Sequence, residues 1–550
     1  MKNKFFKSIL FLALFSLILG SCKKKIEDAY LNPNALTIQP IESILPGVIG
    51  GFTFFTASAG SSFGVVTDGS FIGRYIQYFG INTSGDSWGR MSHLGGAVDN
   101  GGSVWGTFYF GHGQNVNRII QWGTEQQKWD YVGVAWAIRA WGLLELTNEY
   151  GEAPLKQAFN SDLSQFLYDT QPEFYDAARE ASLTAIAFLN KTDGNVSKAN
   201  LAIGDAFFNN GDVNKWKKFA YGILARSYIN LSNKTIFKSN NYADSAIKYA
   251  NLSITNNDDN STVKVSGGPN SNVNNWWGPF RANVGIYRQG AYIANLMSGV
   301  NTVAFTGVPD PRRWYMLSEN ANGTFKGFFP WSGSANTPGN DYPKNFWRHP
   351  TPISTTPPAV DSTRYLYQNT SPWPMMTASE MQFIVAEAAF HKGDKATALA
   401  AYRNAISLNF DMLTTTYPQN IPAGMDITPA SKTAFLNNPN VVPSSSAELT
   451  LSHIMLQKYI ALYIWGTHQT WIDMRKYHYN ADLDPITGKP VYADFMPPSG
   501  QNLVSTNNGK LTYRMRPRFN SEYLYNVPEL TRIGALNNDY NTYEMWFSMK

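Results

Sequence analysis

The clearest regularity in the chain lies between residues 380 and 408. Met381, Ile384, Val385, Ala388 and Ala389 recur at i, i+3, i+4, i+7 and i+8, the apolar stripe of one helix. Gly393-Asp394 interrupts the stripe, and Leu399, Tyr402 and Ile406 resume it, which predicts two helices joined by a tight turn. Small residues sit where paired helices must approach: Ala386 in the first, then Ala398 and Ala405 around Tyr402 in the second. This spacing is similar to that of a tetratricopeptide repeat, in which the small positions admit the neighbouring helix and the ring fills the next groove. A degenerate copy, with Ala246, Ala250 and Ser253, occupies 242–254. Further helical stretches are predicted at about 103–122, 126–149, 173–190, 213–231 and 447–477. No period of about 34 residues runs unbroken, so the repeats are separated by long insertions.

The insertions, about 255–375, 409–445 and 480–512, are rich in Asn, Gly, Pro, Ser and Thr. Loops of this length are usually functional or disordered. Disordered segments are depleted in aromatics, whereas Trp276, Trp277, Trp314, Trp331, Trp347 and Trp373 punctuate the first insertion. Ordered loops capable of binding are expected there. The fold class predicted is mostly α: tetratricopeptide-like hairpins forming a single globular helical body over 36–550, with long irregular insertions.

The N-terminus changes the picture of where this body resides. Residues 1–22, MKNKFFKSILFLALFSLILGSC, place three lysines before an apolar run from Ile9 to Leu19. That run falls short of the roughly 20 residues needed to span a bilayer and fits a signal peptide, residues 1–21. Its end, Leu19-Gly20-Ser21-Cys22, resembles the lipobox of bacterial lipoproteins, in which the Cys is acylated and becomes the first mature residue. Cys22 is the single cysteine of the chain, so no intramolecular disulfide competes for it. Several buried acyl chains hold a protein stably where one holds it marginally. Residues 22–35, with Lys23-Lys24-Lys25 and Asn32-Pro33-Asn34, are read as a lipidated flexible leash. Removing Lys2, Lys4 and Lys7 from the 45 basic residues leaves 42 against 40 acidic ones. A near-neutral mature chain has no electrostatic footprint for nucleic acid. Hydrophobic residues at 43% and charged residues at 15% exclude the disordered class.

Little in the sequence demands catalysis. The seven histidines, His93, His112, His349, His391, His453, His468 and His478, show no HExxH or other ligand spacing. There is no GxxxxGK[ST] loop. The Gly-rich stretch 95–106 lacks the strand–GxGxxG–helix context of a dinucleotide site and reads as a turn. Glu149 and Glu152 flank Tyr150-Gly151 at a predicted helix end, where solvated or capping carboxylates are expected. A carboxylate pair for glycoside hydrolysis needs only spatial proximity, which spacing along the chain does not test. No cofactor and no metal are expected, and the chain is read as a non-enzyme. What remains is aromatic surface. Sugar rings present C–H faces that stack on Trp and Tyr, and hydroxyls that pair with Asn, Asp, Arg and backbone groups. Trp88 stands in NTSGDSWGR beside Asn82, Asp86 and Arg90, and Trp276-Trp277 stand in SNVNNWWGPF. Trp88, Asp86, Arg90, Trp276, Trp277 and Trp331 are the candidate ligand-binding residues, with Trp347 next in line. The competing use of each ring is to anchor a loop.

Several strings, taken in order, resemble the SusD/RagB family of outer-membrane nutrient-binding lipoproteins. Tyr30-Leu31-Asn32-Pro33-Asn34 looks like the family's opening, and Trp105 to Asn117 (WGTFYFGHGQNVN) like its W-x3-Y…N helix. Leu146 to Pro154 (LTNEYGEAP) resembles its lyGdvP string, and Gln382 to Leu408 its repeat hairpin with acidic Glu387. Ile454 to Arg475 resembles the late helix pair ending in W-x-D-x-R. Arg516-Pro517-Arg518-Phe519 with Glu522 and Asn526 is similar, in altered form, to the closing pattern. Three lysines follow Cys22 where the family carries an acidic cluster.

The resemblance implies a lipid-anchored protein of the cell outer membrane, facing the exterior. Its partner would be a SusC-like TonB-dependent transporter, to which it delivers a captured oligosaccharide or, in some members, a peptide. The leading expectation is a glycan-binding subunit of such an uptake complex. The alternatives are a peptide or other nutrient receptor of the same architecture, a surface-anchored glycoside hydrolase, and a structural adaptor that uses its repeats to hold a partner.

Overall fold

Four helix pairs follow one another through the chain and form the scaffold. They are α1 (Trp129–Tyr150) with α2 (Gln171–Leu189), α3 (Val213–Ile229) with α4 (Tyr242–Leu252), α5 (Ala378–Lys392) with α6 (Lys395–Thr416), and α7 (Leu451–Ala461) followed by α8 (Thr467–Lys476). Within the first three, partners pack side by side; between pairs, α2 meets α3, α4 meets α5, and α5 meets α7. The computed structural model describes residues 39–52, 55–56, 62–63, 65–83, 86–93, 101–267, 274–279, 284–335, 339–348, 356–358 and 362–550. Cys22, the leash and Asn32-Pro33-Asn34 lie outside the described residues. The mostly-α reading holds: strands are short, and no helix among the described residues is long and apolar enough to cross a membrane.

The local sequence explains the hairpin at 378–416. Thr377 caps α5, its hydroxyl oxygen accepting from the Glu380 N–H, and Gly393 ends it at φ +88°, a left-handed conformation that a Cβ disfavours. Asp394 then caps α6 by accepting from the Thr397 N–H. The interruption predicted at 393–394 is therefore two caps back to back. Ala386, Ala398, Tyr402 and Ala405 are fully buried, and the Tyr402 hydroxyl donates to the Val441 carbonyl at 2.7 Å. In α4, Ala246 and Ala250 are buried, and the Ser253 hydroxyl just beyond donates to the Lys218 carbonyl of α3.

Three stretches differ from expectation. The helical run predicted at 447–477 breaks between α7 and α8, with Ile464 at φ +70°. Leu462, Tyr463, Ile464 and Trp465 all remain buried through the break, so the apolar run conceals it. In the region read as the insertion 409–445, α6 continues to Thr416 and Pro429–Leu436 forms a further helix capped by Thr428. The 103–122 stretch is helical but not uniform: Ser103–Gly106 widens into a π-helix over Thr107–His112 before α-helix resumes at Gly113–Glu125.

The late strings singled out in the sequence join the hairpins. Glu387 of α5, Lys458 of α7, and Asp473 and Lys476 of α8 form a buried lattice of alternating charge. Burial alone would push the Glu387 carboxyl up, but Lys476 and Lys458 hold it far below its ordinary value. Its oxygens also accept from the hydroxyls of Ser232 and Tyr477, both at 2.8 Å. Two turns of α8 on one face supply the rest of W-x-D-x-R: the Arg475 guanidinium lies 3.5 Å from the centroid of Trp471 and donates to the Tyr513 carbonyl. Desolvation lowers Arg475 to about 9.

The long insertion between α4 and α5 is tied at its base, where Ser261–Val263 pairs antiparallel with Trp373–Met376. Inside it, β2 (Tyr287–Gln289) pairs antiparallel with β1 (Phe79–Ile81), from far earlier in the chain, in the register Phe79↔Gln289 and Ile81↔Tyr287. Phe79, Trp277, Tyr287, Phe346 and Tyr367 pack around this ribbon.

Candidate functional site

The ribbon β1–β2 gathers most of the aromatic candidates around one place. Helix Val65–Tyr75 ends beside it and presents Arg74, whose guanidinium donates to Asp86 at 2.8 Å and to the Tyr287 hydroxyl at 2.7 Å. Burial opposes the charge on Arg74, but Tyr287 and Asp86 outweigh it and hold the group above its ordinary value. Asp86 also accepts from the Trp88 N–H two residues on, which shapes the turn. Trp88 thereby points inward. Its ring, 6% exposed, packs on Phe71 at 4.5 Å and Tyr75 at 5.7 Å.

The expectation that these rings stand outside a core is therefore corrected for three of the four tryptophans. Trp88, Trp276 and Trp277 are all buried. Trp277 packs edge-on to Phe79, Tyr287 and Phe346, and its carbonyl accepts from the Trp347 indole N–H at 2.9 Å. Trp277 also lines a cavity with Trp141, Trp373, Trp465, Glu145 and His468, but the free space there is about 30 Å³. A volume near that of one water molecule admits no sugar ring. Polar, Asn-rich sequence around these rings supplies turns, and the burial comes from partners remote in the chain. Trp347 is likewise buried. Asp86 is committed to Arg74. Arg90 is half-buried and donates to the Gln501 carbonyl at 2.8 Å.

Trp331 is different. It is half-buried and stacked on Phe329 at 5.0 Å, with the rings 24° apart. The turn that carries it interlocks with the turn carrying Trp88 and Arg90. A Cβ on Gly89 would stand 2.2 Å from the Pro330 carbonyl oxygen, and one on Gly333 would stand 2.1 Å from the Thr83 oxygen, so both contacts require glycine. The Ser334 hydroxyl donates to the Asn82 carbonyl at 2.9 Å. The structure thus brings Trp331 next to the Asp86–Arg90 turn and leaves it the one candidate ring that is not fully buried. Phe329 was not singled out in the sequence; Phe329-Pro330-Trp331 enters a turn in which the Phe329 carbonyl accepts from the Ser332 and Gly333 N–H groups at 3.0 and 3.1 Å.

The carboxylates at the end of α1 do not behave as expected. Glu149 is buried beside His468 at 3.1 Å rather than solvated, and Glu152 pairs with Arg514 at 2.8 Å. Between them Gly151 takes φ +83°, against Arg514, so the LTNEYGEAP string serves the helix end. Among the described residues no group of three or more His, Cys, Asp and Glu is arranged to hold a metal ion.

Comparison with known proteins bears on this geometry. The sequence pattern of a SusD-like family, described as starch-binding and associating with the outer membrane, matches residues 67–494. A SusD/RagB family protein from Bacteroides thetaiotaomicron superposes with a TM-score of 0.64 at 22% identity, covering 93% of this chain and 99% of that one. A SusD homolog from Bacteroides fragilis gives 0.68 at 18% identity, covering 92% and 100%. A chitin-binding protein gives 0.66 at 18% identity, covering 93% and 100%. No curated protein matches significantly. The solved structures share the fold, and the family pattern spans well over half the sequence, including both turns of the site and all four helix pairs: the chain belongs to the SusD-like family of starch-binding, outer-membrane-associated proteins.

Proposed function

We propose that this chain is a cell-surface lipoprotein, anchored through Cys22, that captures an oligosaccharide and delivers it to a SusC-like TonB-dependent transporter. The observation that carries the binding site is the half-buried Trp331 stacked on Phe329, interlocked with the turn of Asp86, Trp88 and Arg90. A ring fixed from behind by a second ring keeps its orientation and loses little freedom when a sugar stacks on it. Asn82, Ser334 and Arg90 stand in the flanking turns as hydrogen-bonding groups for hydroxyls. Trp88 anchors the adjoining turn on Phe71 and Tyr75, and Trp277, with Trp276 edge-on to it, packs on the β1–β2 ribbon. The chitin-binding character of one structural neighbour agrees with a glycan ligand.

The test is a glycan array with release of reducing sugar assayed alongside. Binding without turnover is expected. Trp331→Ala should weaken that binding about five- to tenfold, since an aromatic stacking contact contributes about 1 kcal/mol. Turnover would return the chain to the hydrolase reading, and capture of peptides in place of glycans would favour the peptide-receptor reading.

A further inference from the structure

A second concavity lies apart from the Trp331 turns and shares no lining residue with them. It is a cavity of about 440 Å³ between the π-helix Thr107–His112, the loop at 154–166 and the π-helix Phe519–Tyr523. These are the two π-helical segments among the described residues, and both border this one space. Such widened turns are uncommon and cluster at functional sites. Two strings noted in the sequence, remote from each other in the chain, meet here: Trp105 and Tyr109 from one, Glu522 and Asn526 from the other.

The groove is built for a neutral, ring-shaped ligand. Its floor is aromatic and fixed: Tyr109 lies 5.0 Å from Trp105 and 6.1 Å from Phe159, and its hydroxyl donates to the Pro154 carbonyl. Two further rings stand at the rim unusually exposed, Phe110 at 56% and Tyr525 at 64%. Exposed amides and hydroxyls from Gln114, Asn160, Ser161 and Ser164 complete the lining. Glu522 is the one ionisable acid or base in it apart from the tyrosines, and its carboxylate already accepts from the Tyr168 hydroxyl at 2.6 Å and the Asn526 amide at 3.0 Å. Arg518 lies outside the lining, over Phe110 at 5.0 Å. A phosphate, sulfate or uronate would find no cation in the lining. A peptide would find no strand edge to extend. A neutral sugar finds C–H acceptor faces and neutral hydrogen-bonding partners together, in a volume within the usual range of ligand sites.

We infer that this groove is a second glycan-binding site, for a neutral pyranose unit, independent of the Trp331 platform. Two sites on one chain would raise the avidity for a polysaccharide long enough to reach both.

The test uses the detergent-solubilised full chain, with binding isotherms on starch, chitin and xylan as neutral probes and polygalacturonate as the acidic one. Phe110→Ala and Tyr525→Ala should each weaken binding to at least one neutral polysaccharide about five- to tenfold. The melting temperature should not change, because both rings are exposed, and polygalacturonate should not be retained. Parent-like isotherms in both variants would overturn the proposal, as would failure to bind any neutral probe. Loss in Trp331→Ala alone would overturn this site and leave the first standing; loss in Tyr525→Ala alone would do the reverse. Parent-like isotherms combined with loss of a co-purifying membrane protein would make the groove a protein interface and also overturn the inference.

Discussion

Glu387→Gln is the most direct test of what holds the hairpins together. The substitution keeps the shape of the side chain and an oxygen to accept from Tyr477 or Ser232, but removes the charge. Lys458 and Lys476 would then share one carboxylate, Asp473, at 2.8 and 3.2 Å, with all three side chains at most 2% exposed. A buried excess positive charge either persists or is removed by deprotonating one lysine. From an ordinary value of about 10.4, holding a lysine neutral at pH 7 costs about 4–5 kcal/mol. The same range, about 3–5 kcal/mol, is found when one partner of a buried ion pair is removed. With an unfolding entropy of about 2.1 cal/mol/K per residue, a body of about 500 residues loses about 1 °C per kcal/mol. A fall of about 3–5 °C in a circular-dichroism melt at pH 7 is therefore expected. Adding Lys458→Met restores the balance of one carboxylate to one ammonium and should recover most of the loss. A single variant within 1 °C of the parent, or a double variant worse than the single, would refute the argument.

Replacing Ala398 by Leu forces α5 and α6 apart at a fully buried contact and should cost about 1–3 kcal/mol, read from the urea midpoint. Cys22→Ala should release the chain from the membrane fraction without altering its melt, and retention after a high-salt wash would contradict the lipoprotein reading. Burial holds His93 at about 3 and His112, His391 and His453 at about 4. The unfolded chain binds these protons near pH 6.5, so the stability they contribute is present above 6.5 and lost as pH falls toward 4. His478 runs the other way: hydrogen bonds to Asp482 and Glu544 raise it to about 9, so its contribution is present below 6.5 and lost as pH rises through 9. The urea midpoint should peak near neutrality and decline on both sides, and a flat profile from pH 7 to 5 would contradict the assignment of neutral buried histidines.

The scaffold was legible because its signals are local. A stripe at 381–389, a Gly-Asp break and alanines three and four residues apart fix a hairpin wherever it sits in the molecule. What was missed was continuous or irregular. Leu462 to Trp465 are apolar without a gap, so periodicity there carries no mark of the break between α7 and α8. Helix Ile41–Gly50 contains Pro46 and was not recognised. Neither π-turn has a signature in spacing.

The aromatic candidates show why site prediction is harder than fold prediction in such a chain. A tryptophan in Asn- and Gly-rich sequence is compatible with a loop anchor and with a ligand platform, and the choice depends on residues far away. Trp88 is covered by Phe71 and Tyr75 from a neighbouring helix; Trp277 is covered by Phe79, nearly two hundred residues earlier. An insertion without periodic helices must still bury apolar surface to stay ordered, and it does so with its own rings around the β1–β2 ribbon. The tryptophan content of the insertion therefore measures first the core it needs. Rings available for recognition are those left after that need is met, and their sequence context carries no special polarity: Trp331 follows Phe329-Pro330, Phe110 lies in a π-helix, and Tyr525 follows one. Exposure of an aromatic against a packed second ring, which only the three-dimensional arrangement supplies, is the better criterion, and among the candidate tryptophans Trp331 is the one that meets it.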